Sequence, residues 1–587
     1  MTTSTDIAPR KNANELLARI GRAALICATL YVCYFSHLGA IGFVGPDEPR
    51  YAWIARDMAE TGDWVTPRLY GKPWFEKPPL YYWGAAICFK LFGVGEAAAR
   101  LPSAISALLA TLAMAWLAWR IYGAQTARWL LLLLPTTVGM IGFSHAAATD
   151  MPFSATLTIA MVCAAVLLRL PVECGGLPPL SPNQASATDS TGTLATAPAS
   201  SSVISFTSFA SSTSFPSLLF GFFLGLAVLA KGPAAIIVCG GAVFFWALFA
   251  KRWRDALRLF HPAAIAAFCL TALPWYILCA RRNPDFIRIF IIEHNFKRYL
   301  TPEFQHIQPF WFYVPILLVG IFPWLFWIGG TFVVVRRRDV GTETILLCVC
   351  WVLFPILFFS ASQSKLPGYI LPCIPPAVFL IARSVALWQK YSPKAALIAA
   401  ALTGLMLACA AGWMLASVRI APSHSWPLEL QISWTNIVSY VAAAGLGGLL
   451  VIVLAAYRRI GEALLITVGV TLLILLIGEN SLLPRIDPIV SPRLVAQEIR
   501  SSNQRAIYTL GMERGWRYGL SFYLRREIPD LPETFSEPAL VVVNPKDFHS
   551  LEQRAFIERV DSSPWPRAQI VTIEPLPARA SSGGKPQ

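Results

Sequence analysis

The run VSYVAAAGLGGLLVIVLAAYRRIGEALLITVGVTLLILLI, residues 438–477, decides the architecture. It holds two apolar stretches, placed at 434–456 and 461–480, each long enough to cross a hydrocarbon core of roughly 30 Å, with the basic pair Arg458–Arg459 between them. Stretches of the same kind recur at 22–42, 97–118, 125–146, 150–170, 214–230, 233–250, 262–280, 309–335, 345–361, 369–387 and 394–417, which makes 13 spans. The fold class read from them is an all-α polytopic membrane protein.

Composition agrees. Apolar residues are 56% of the chain, charged residues 14%, and mean hydropathy is +0.55, whereas a water-soluble surface needs roughly a quarter of residues charged. The formal net charge of +15 does not point to nucleic acid. The basic residues fall in short clusters between apolar runs, at 251–258, 336–338 and 458–459, as cytoplasmic loops carry them. With the N-terminus cytoplasmic, nearly every short inner loop obeys this bias, and an odd number of spans places the tail outside. The twelve cysteines stand singly, nearly all in apolar runs, which argues against a disulfide framework or a Cys-based metal site. Residues from Leu17 follow Arg10 and Lys11 without a small-residue cleavage pattern, and are read as a retained first span.

Residues 1–480 form the membrane domain, with a long outer loop at 43–96 and a Ser, Thr, Ala and Pro-rich inner insertion at 172–216. Residues 481–587 change character. Candidate strands at 506–510 (AIYTL), 539–543 (ALVVV) and 570–574 (IVTIE) predict a small mixed α/β domain on the outer side.

The outer loop carries GPDEPRYAWIARDMAETGDW from Gly45 and GKPWFEKPPLYYW from Gly71. Tyr51, Ile54, Ala55 and Met58 recur at helical spacing, predicting an amphipathic helix along the membrane surface. A second surface helix is expected after Pro78 and Pro79. Asp47 and Glu48 have a plain reading as a helix-capping pair, and Glu76–Lys77 as a surface ion pair. Topology argues for more. Asp150 (SHAAATDMPF), Lys231 (LAKGP), Glu293, His294, Lys297 and Arg298, and Lys365 and Tyr369 (SQSKLPGY) all fall at outer span ends, far apart in sequence. Ionisable groups at membrane depth are functional candidates, and these can gather into one interfacial cavity. Cations there can hold a phosphate leaving group while a carboxylate orients an acceptor, a combination that a lipid-linked phosphosugar requires. A transporter would need such groups nearer the midplane, and an assembly factor would tolerate their neutralisation.

The pieces DEPRYAWIARDM, FEKPPLYYW, Thr149–Asp150, LAKGP and SKLPGYILP, in this order, resemble the GT-C membrane glycosyltransferases related to bacterial 4-amino-4-deoxy-L-arabinose transferase of lipid A and to the protein O-mannosyltransferases. The resemblance implies an inverting transfer from undecaprenyl (polyprenyl) phosphate-linked sugar on the periplasmic side of the inner membrane. The acceptor it implies is a lipid A phosphate or, alternatively, a protein or glycan hydroxyl. It also implies roles: Asp47 as leading catalytic carboxylate with Asp150 as a second; Glu48, Arg50, Tyr51, Lys77, Tyr81, Tyr82, Lys231, Arg298, Lys365 and Tyr369 binding substrate; Glu76 with His294 as a divalent-metal pair, for zinc.

Overall fold

The computed structural model describes residues 7–171, 214–300, 307–330, 342–391, 393–420, 434–501, 506–560 and 567–575. The insertion expected at 172–216 lies outside them up to residue 213, and 214–216 already belong to the helix Ser214–Lys231. The described part of each of the 13 expected spans includes helix, but they are not equivalent. Among the described residues ten helices are long and apolar enough to cross a bilayer, and a bent pair makes an eleventh. Ala234–Ala250 is a shorter apolar helix.

The bent pair is Ala124–Leu133 and Val138–Ser144, which meet at 61°. Thr137 caps the second piece by accepting from the Met140 N–H. The 309–335 segment is likewise broken, into Phe310–Phe312, Tyr313–Gly320 and Leu325–Ile328, around Pro323. The two breaks brace each other, because the Val138 N–H donates to the Phe322 carbonyl at 3.0 Å. Interrupted helices survive at membrane depth only where neighbours satisfy the freed backbone groups in this way. Elsewhere helices approach closely through small residues: a Cβ on Gly404 would lie 2.5 Å from the Gly448 carbonyl, so Pro393–Ile420 and Trp434–Ala456 pack backbone to backbone.

The first span differs from its expected bounds. The helix runs Ile7–Tyr34, and residues 35–46 turn across the interface before the helix Asp47–Thr61 begins. That turn is held by Arg100, whose guanidinium donates to the carbonyls of Leu38, Ile41 and Gly42 at 2.7–2.8 Å and to Glu48 at 2.8 and 3.1 Å.

The expected surface helix exists but does not lie open on a membrane. Arg50 and Arg56 are buried along with its apolar face, because the helix Arg514–Leu524 of the C-terminal domain lies over it. Arg56 donates to the Phe522 carbonyl at 2.9 Å, and Phe43 meets Phe522 edge-on at 4.8 Å. Between this helix and Leu80–Phe92 the chain makes a two-stranded hairpin, β1 (Arg68–Leu69) and β2 (Lys72–Pro73), that the pattern did not foretell.

The C-terminal domain is a four-stranded sheet in the order β3-β4-β6-β5, with β3 (Ile507–Leu510) parallel to β4 (Ala539–Val543) and β6 (Gln569–Glu574) antiparallel to β4 and β5 (Phe556–Val560). The three candidate strands are present. β5 escaped notice because FIERV alternates poorly and sits largely exposed at the edge. Every residue of β4 is buried, as a central strand requires.

Candidate interfacial active site

Asp47 opens its helix after Pro46, with no side chain capping it, so the first-turn carboxylates are available to other partners. Arg50, one turn on, reaches back: its Nη2 lies 2.5 Å from Asp47 Oδ1 and 3.0 Å from Glu76 Oε2, and Lys77 Nζ stands 3.9 Å from Glu76 Oε1. Burial works against the Arg50 charge, but Glu76 and, after it, Tyr51 and Asp47 hold its pKa above the ordinary value. The Asp47 side chain stays 53% exposed while Arg50 is buried, and Oδ2 has no partner among the described residues. Tyr51, Tyr81 and Tyr82 form a cluster of rings 5.8–6.1 Å apart behind this pair. Tyr81 donates to the Ala99 carbonyl at 2.8 Å, whereas the Tyr82 hydroxyl and Arg50 Nε are buried without hydrogen-bond partners. Burial first, and then Glu76, pushes the Tyr51 and Tyr82 phenols well above their usual range, so both stay neutral.

A second cluster sits at the mouth of two spans. Asp150 begins the helix Asp150–Leu167, Lys231 ends Ser214–Lys231, and their Oδ1 and Nζ are 2.5 Å apart. The ammonium also lies over the rings of Phe153 (5.3 Å) and Tyr369 (5.0 Å). The turn SQSKLPGY closes on it from above, where a Cβ on Gly368 would be 2.2 Å from Asp150 Oδ1; only glycine permits that approach.

Lys77, Lys231, His294, Tyr299, Ser362 and Tyr369 then line a cavity of about 380 Å³ together with the apolar side chains of Ile237, Leu300, Phe358 and Phe359. Four of these were candidates from four separate sequence segments. Tyr299 was missed. It ties the segment 288–300 to the span Thr342–Ser360 by donating to the Phe358 carbonyl and accepting from the Gln363 N–H.

Three candidates stand elsewhere. Glu48 is not open to a ligand: its carboxylate takes Arg100 and the N–H groups of Val44 and Ala147, at 2.7–3.1 Å, and is buried. It is a brace for the interfacial turn. Lys365 is buried and donates to the Ser362 carbonyl at 2.6 Å, propping its own turn. The Arg298 side chain lies outside the described residues, although its backbone continues the 288–300 helical segment. The metal pair does not fit its donors. Glu76 is engaged by Arg50 and Lys77, and no group of three His, Cys, Asp or Glu side chains gathers among the described residues. A closed zinc site requires about four such ligands.

The fold and site define a polytopic membrane protein with a carboxylate–arginine centre beside a cavity lined by both cations and apolar side chains. Two family models described as dolichyl-phosphate-mannose-protein mannosyltransferase match residues 76–170 and 187–290. Undecaprenyl phosphate-alpha-4-amino-4-deoxy-L-arabinose arabinosyl transferases are similar at the sequence level: that of Aeromonas salmonicida is 32% identical over 65% of this chain and 63% of its own length, and that of Edwardsiella ictaluri 31% over 57% and 54%. The chain thus matches between about half and two thirds of the length of these relatives. The crystal structure of ArnT from Cupriavidus metallidurans bound to undecaprenyl phosphate superposes with a TM-score of 0.71 over 97% of this chain and 99% of that one, at 22% identity. The chain resembles the GT-C glycosyltransferases and has the fold of ArnT.

Proposed function

We propose that the protein is a glycosyltransferase that moves a sugar from undecaprenyl (polyprenyl) phosphate to an acceptor on the outer face of the bacterial inner membrane, with lipid A phosphate as first acceptor. The basic clusters of the sequence at 251–258, 336–338 and 458–459 support this orientation through the positive-inside bias. The observation that carries the reading is the cavity itself, where Lys77, Lys231 and His294, from three separate segments, share one space with the apolar side chains of Ile237, Leu300, Phe358 and Phe359. The cations suit a phosphate, and the apolar side chains suit the prenyl chain attached to it.

In this reading an acceptor oxygen attacks the anomeric carbon, and the bond from that carbon to the phosphate oxygen breaks with inversion. The bond's electrons stay on the phosphate, held by Lys77 and Lys231. A lipid A phosphate is already anionic, so Asp47 then orients the acceptor and stabilises positive character at the sugar. A hydroxyl acceptor, the alternative favoured by the two mannosyltransferase models, would instead give its proton to Asp47. The names of the related proteins, which specify undecaprenyl phosphate and aminoarabinose, support the donor class.

The test is mass spectrometry of products after incubating purified protein with lipid extract containing the donor. Native protein should add a sugar to lipid A, and Asp47→Asn should lower the rate by about 10²–10³-fold at unchanged Tm. Transfer that survives the substitution would remove Asp47 from the chemistry; absence of transfer by native protein to any lipid, protein or glycan acceptor would sink the enzyme reading.

A further inference from the structure

A second cavity, of about 500 Å³, lies between the β1–β2 hairpin and the C-terminal domain. The hairpin contributes Tyr70, Lys72 and Trp74, and the domain contributes Arg517, Tyr518 and Glu527. Two of these rings also flank Arg50, which lies 5.3 Å from the Trp74 ring and 5.9 Å from that of Tyr518. The groove therefore shares a wall with the Asp47–Arg50–Glu76 centre, whereas Lys77, next along the chain, lines the donor cavity. The two cavities thus adjoin one centre, as two substrates of a transfer reaction require.

From these observations we infer that the groove holds a sugar ring of the acceptor; the assignment rests on the function proposed above. Its lining is the wrong chemistry for a prenyl chain. Aromatic faces suit the C–H face of a pyranose, and side chains of both signs (Lys72, Arg517, Glu527, Asp530) suit its hydroxyl, amino and phosphate substituents. Arg517 is already steadied by Asp530, with Nη1 2.5 Å from Oδ2, so its planar donor fork is preorganised.

The hairpin turn adds an independent sign. Tyr70 and Gly71 are its two central residues, both with positive φ (52° and 77°), a turn that favours Asn and Gly. The chain keeps a tyrosine there against this preference, and the ring packs on Trp53 at 4.7 Å and faces Tyr518 at 6.4 Å. Strain of this kind persists where a side chain is needed in place.

The test uses the full-length protein in detergent and two probes: a soluble phosphorylated glucosamine disaccharide without acyl chains, followed by saturation-transfer NMR, and undecaprenyl phosphate, followed by native mass spectrometry. Tyr70→Asn removes the ring while suiting the turn, and Lys72→Ala and Glu527→Gln alter exposed side chains, so all three should fold. Each should weaken the disaccharide by about five- to tenfold, the loss of one good contact, and leave undecaprenyl phosphate binding within about twofold. Equal disaccharide affinity in native protein and variants overturns the inference, as does a native protein that binds undecaprenyl phosphate but not the disaccharide. Displacement of the disaccharide by a Ser/Thr peptide and not by lipid A overturns it as well. Failure of native protein to bind undecaprenyl phosphate counts against the proposed function itself, whichever way the disaccharide behaves.

Discussion

Asp47 and Glu48 are adjacent carboxylates in the first turn of one helix, and they do opposite things. Glu48 belongs to a clamp that repeats along the interface. Arg100 grips Glu48 and three carbonyls; Arg493 bridges Asp487 and the carbonyls of Gly39 and Ala40; Ser36 and His37 hold the buried Glu479. Every one of these carboxylates is buried and fully engaged. The cavity region uses the same residue types but leaves capacity unused: Asp47 half exposed, Arg50 Nε and the Tyr82 hydroxyl orphaned, Lys231 facing both a carboxylate and a cavity. Fully engaged charges hold the interfacial turn in place, and the proposed function assigns the groups with spare capacity to a ligand.

That contrast can be broken experimentally. Arg100→Leu should have the largest effect, since it strands Glu48 buried and unpaired; a loss of about 3–5 kcal/mol in stability is expected, read as a collapse of Tm and of yield. If Arg100→Leu instead left Tm intact and removed only activity, the clamp would have to be counted with the site. Lys231→Met belongs to the other class. It leaves Asp150 without its ion-pair partner, so a loss of Tm smaller than that of Arg100→Leu is expected, and under the proposed function the donor KM should rise by about tenfold or more. Gly368→Ala lies between the two, as its new methyl meets the Asp150 carboxylate. A cost of about 1–3 kcal/mol together with reduced turnover is expected, measured by parallel melting and transfer assays.

The smallest effect sharpens the comparison at its edge. Asp63 accepts from the Val65 and Thr66 N–H groups and meets Arg68 and Arg282, tying the loop to the helix Pro262–Arg282. Burial opposes its charge, but those backbone and arginine partners outweigh it and hold the carboxyl below its usual pKa. A depressed folded pKa means stability fully present above the unfolded value of about 3.9 and lost as pH falls below it. The Tm difference between native protein and Asp63→Asn should therefore be small near neutral pH, under about 1 kcal/mol in stability because the pairs are partly exposed, and should shrink as pH falls through the lowered folded pKa. A difference that grew on acidification would contradict the pairing.

Much of this was legible before any coordinates. Apolar runs of about 20 residues announce spans because nothing else explains them, and ten or eleven of the 13 expected spans are matched by helices long and apolar enough to cross among the described residues. Strand β4 was readable as ALVVV, since an unbroken β-branched run marks a central strand. Asp150, Lys231 and Tyr369 could be brought to one place by topology alone, because span ends on one side of a bilayer share one plane. Less legible were the breaks at 134–137 and around Pro323, since an apolar run reads the same whether its helix is continuous or braced by a neighbour.

What the sequence by itself determined is therefore the membrane architecture, the small sheet domain and the set of polar residues gathered at one interface. Hydropathy, strand composition and loop charge are local or one-dimensional signals, and a bilayer converts them directly into depth and side. Tertiary structure alone decided which of those polar residues are open. It sends Glu48 to Arg100 and Lys365 to its own turn, buries Arg50 beneath Tyr518 of a domain more than 450 residues away in the chain, and places Tyr70 and Trp74 opposite Arg517. Whether a charge is satisfied depends on partners distant in sequence, and no local pattern encodes them.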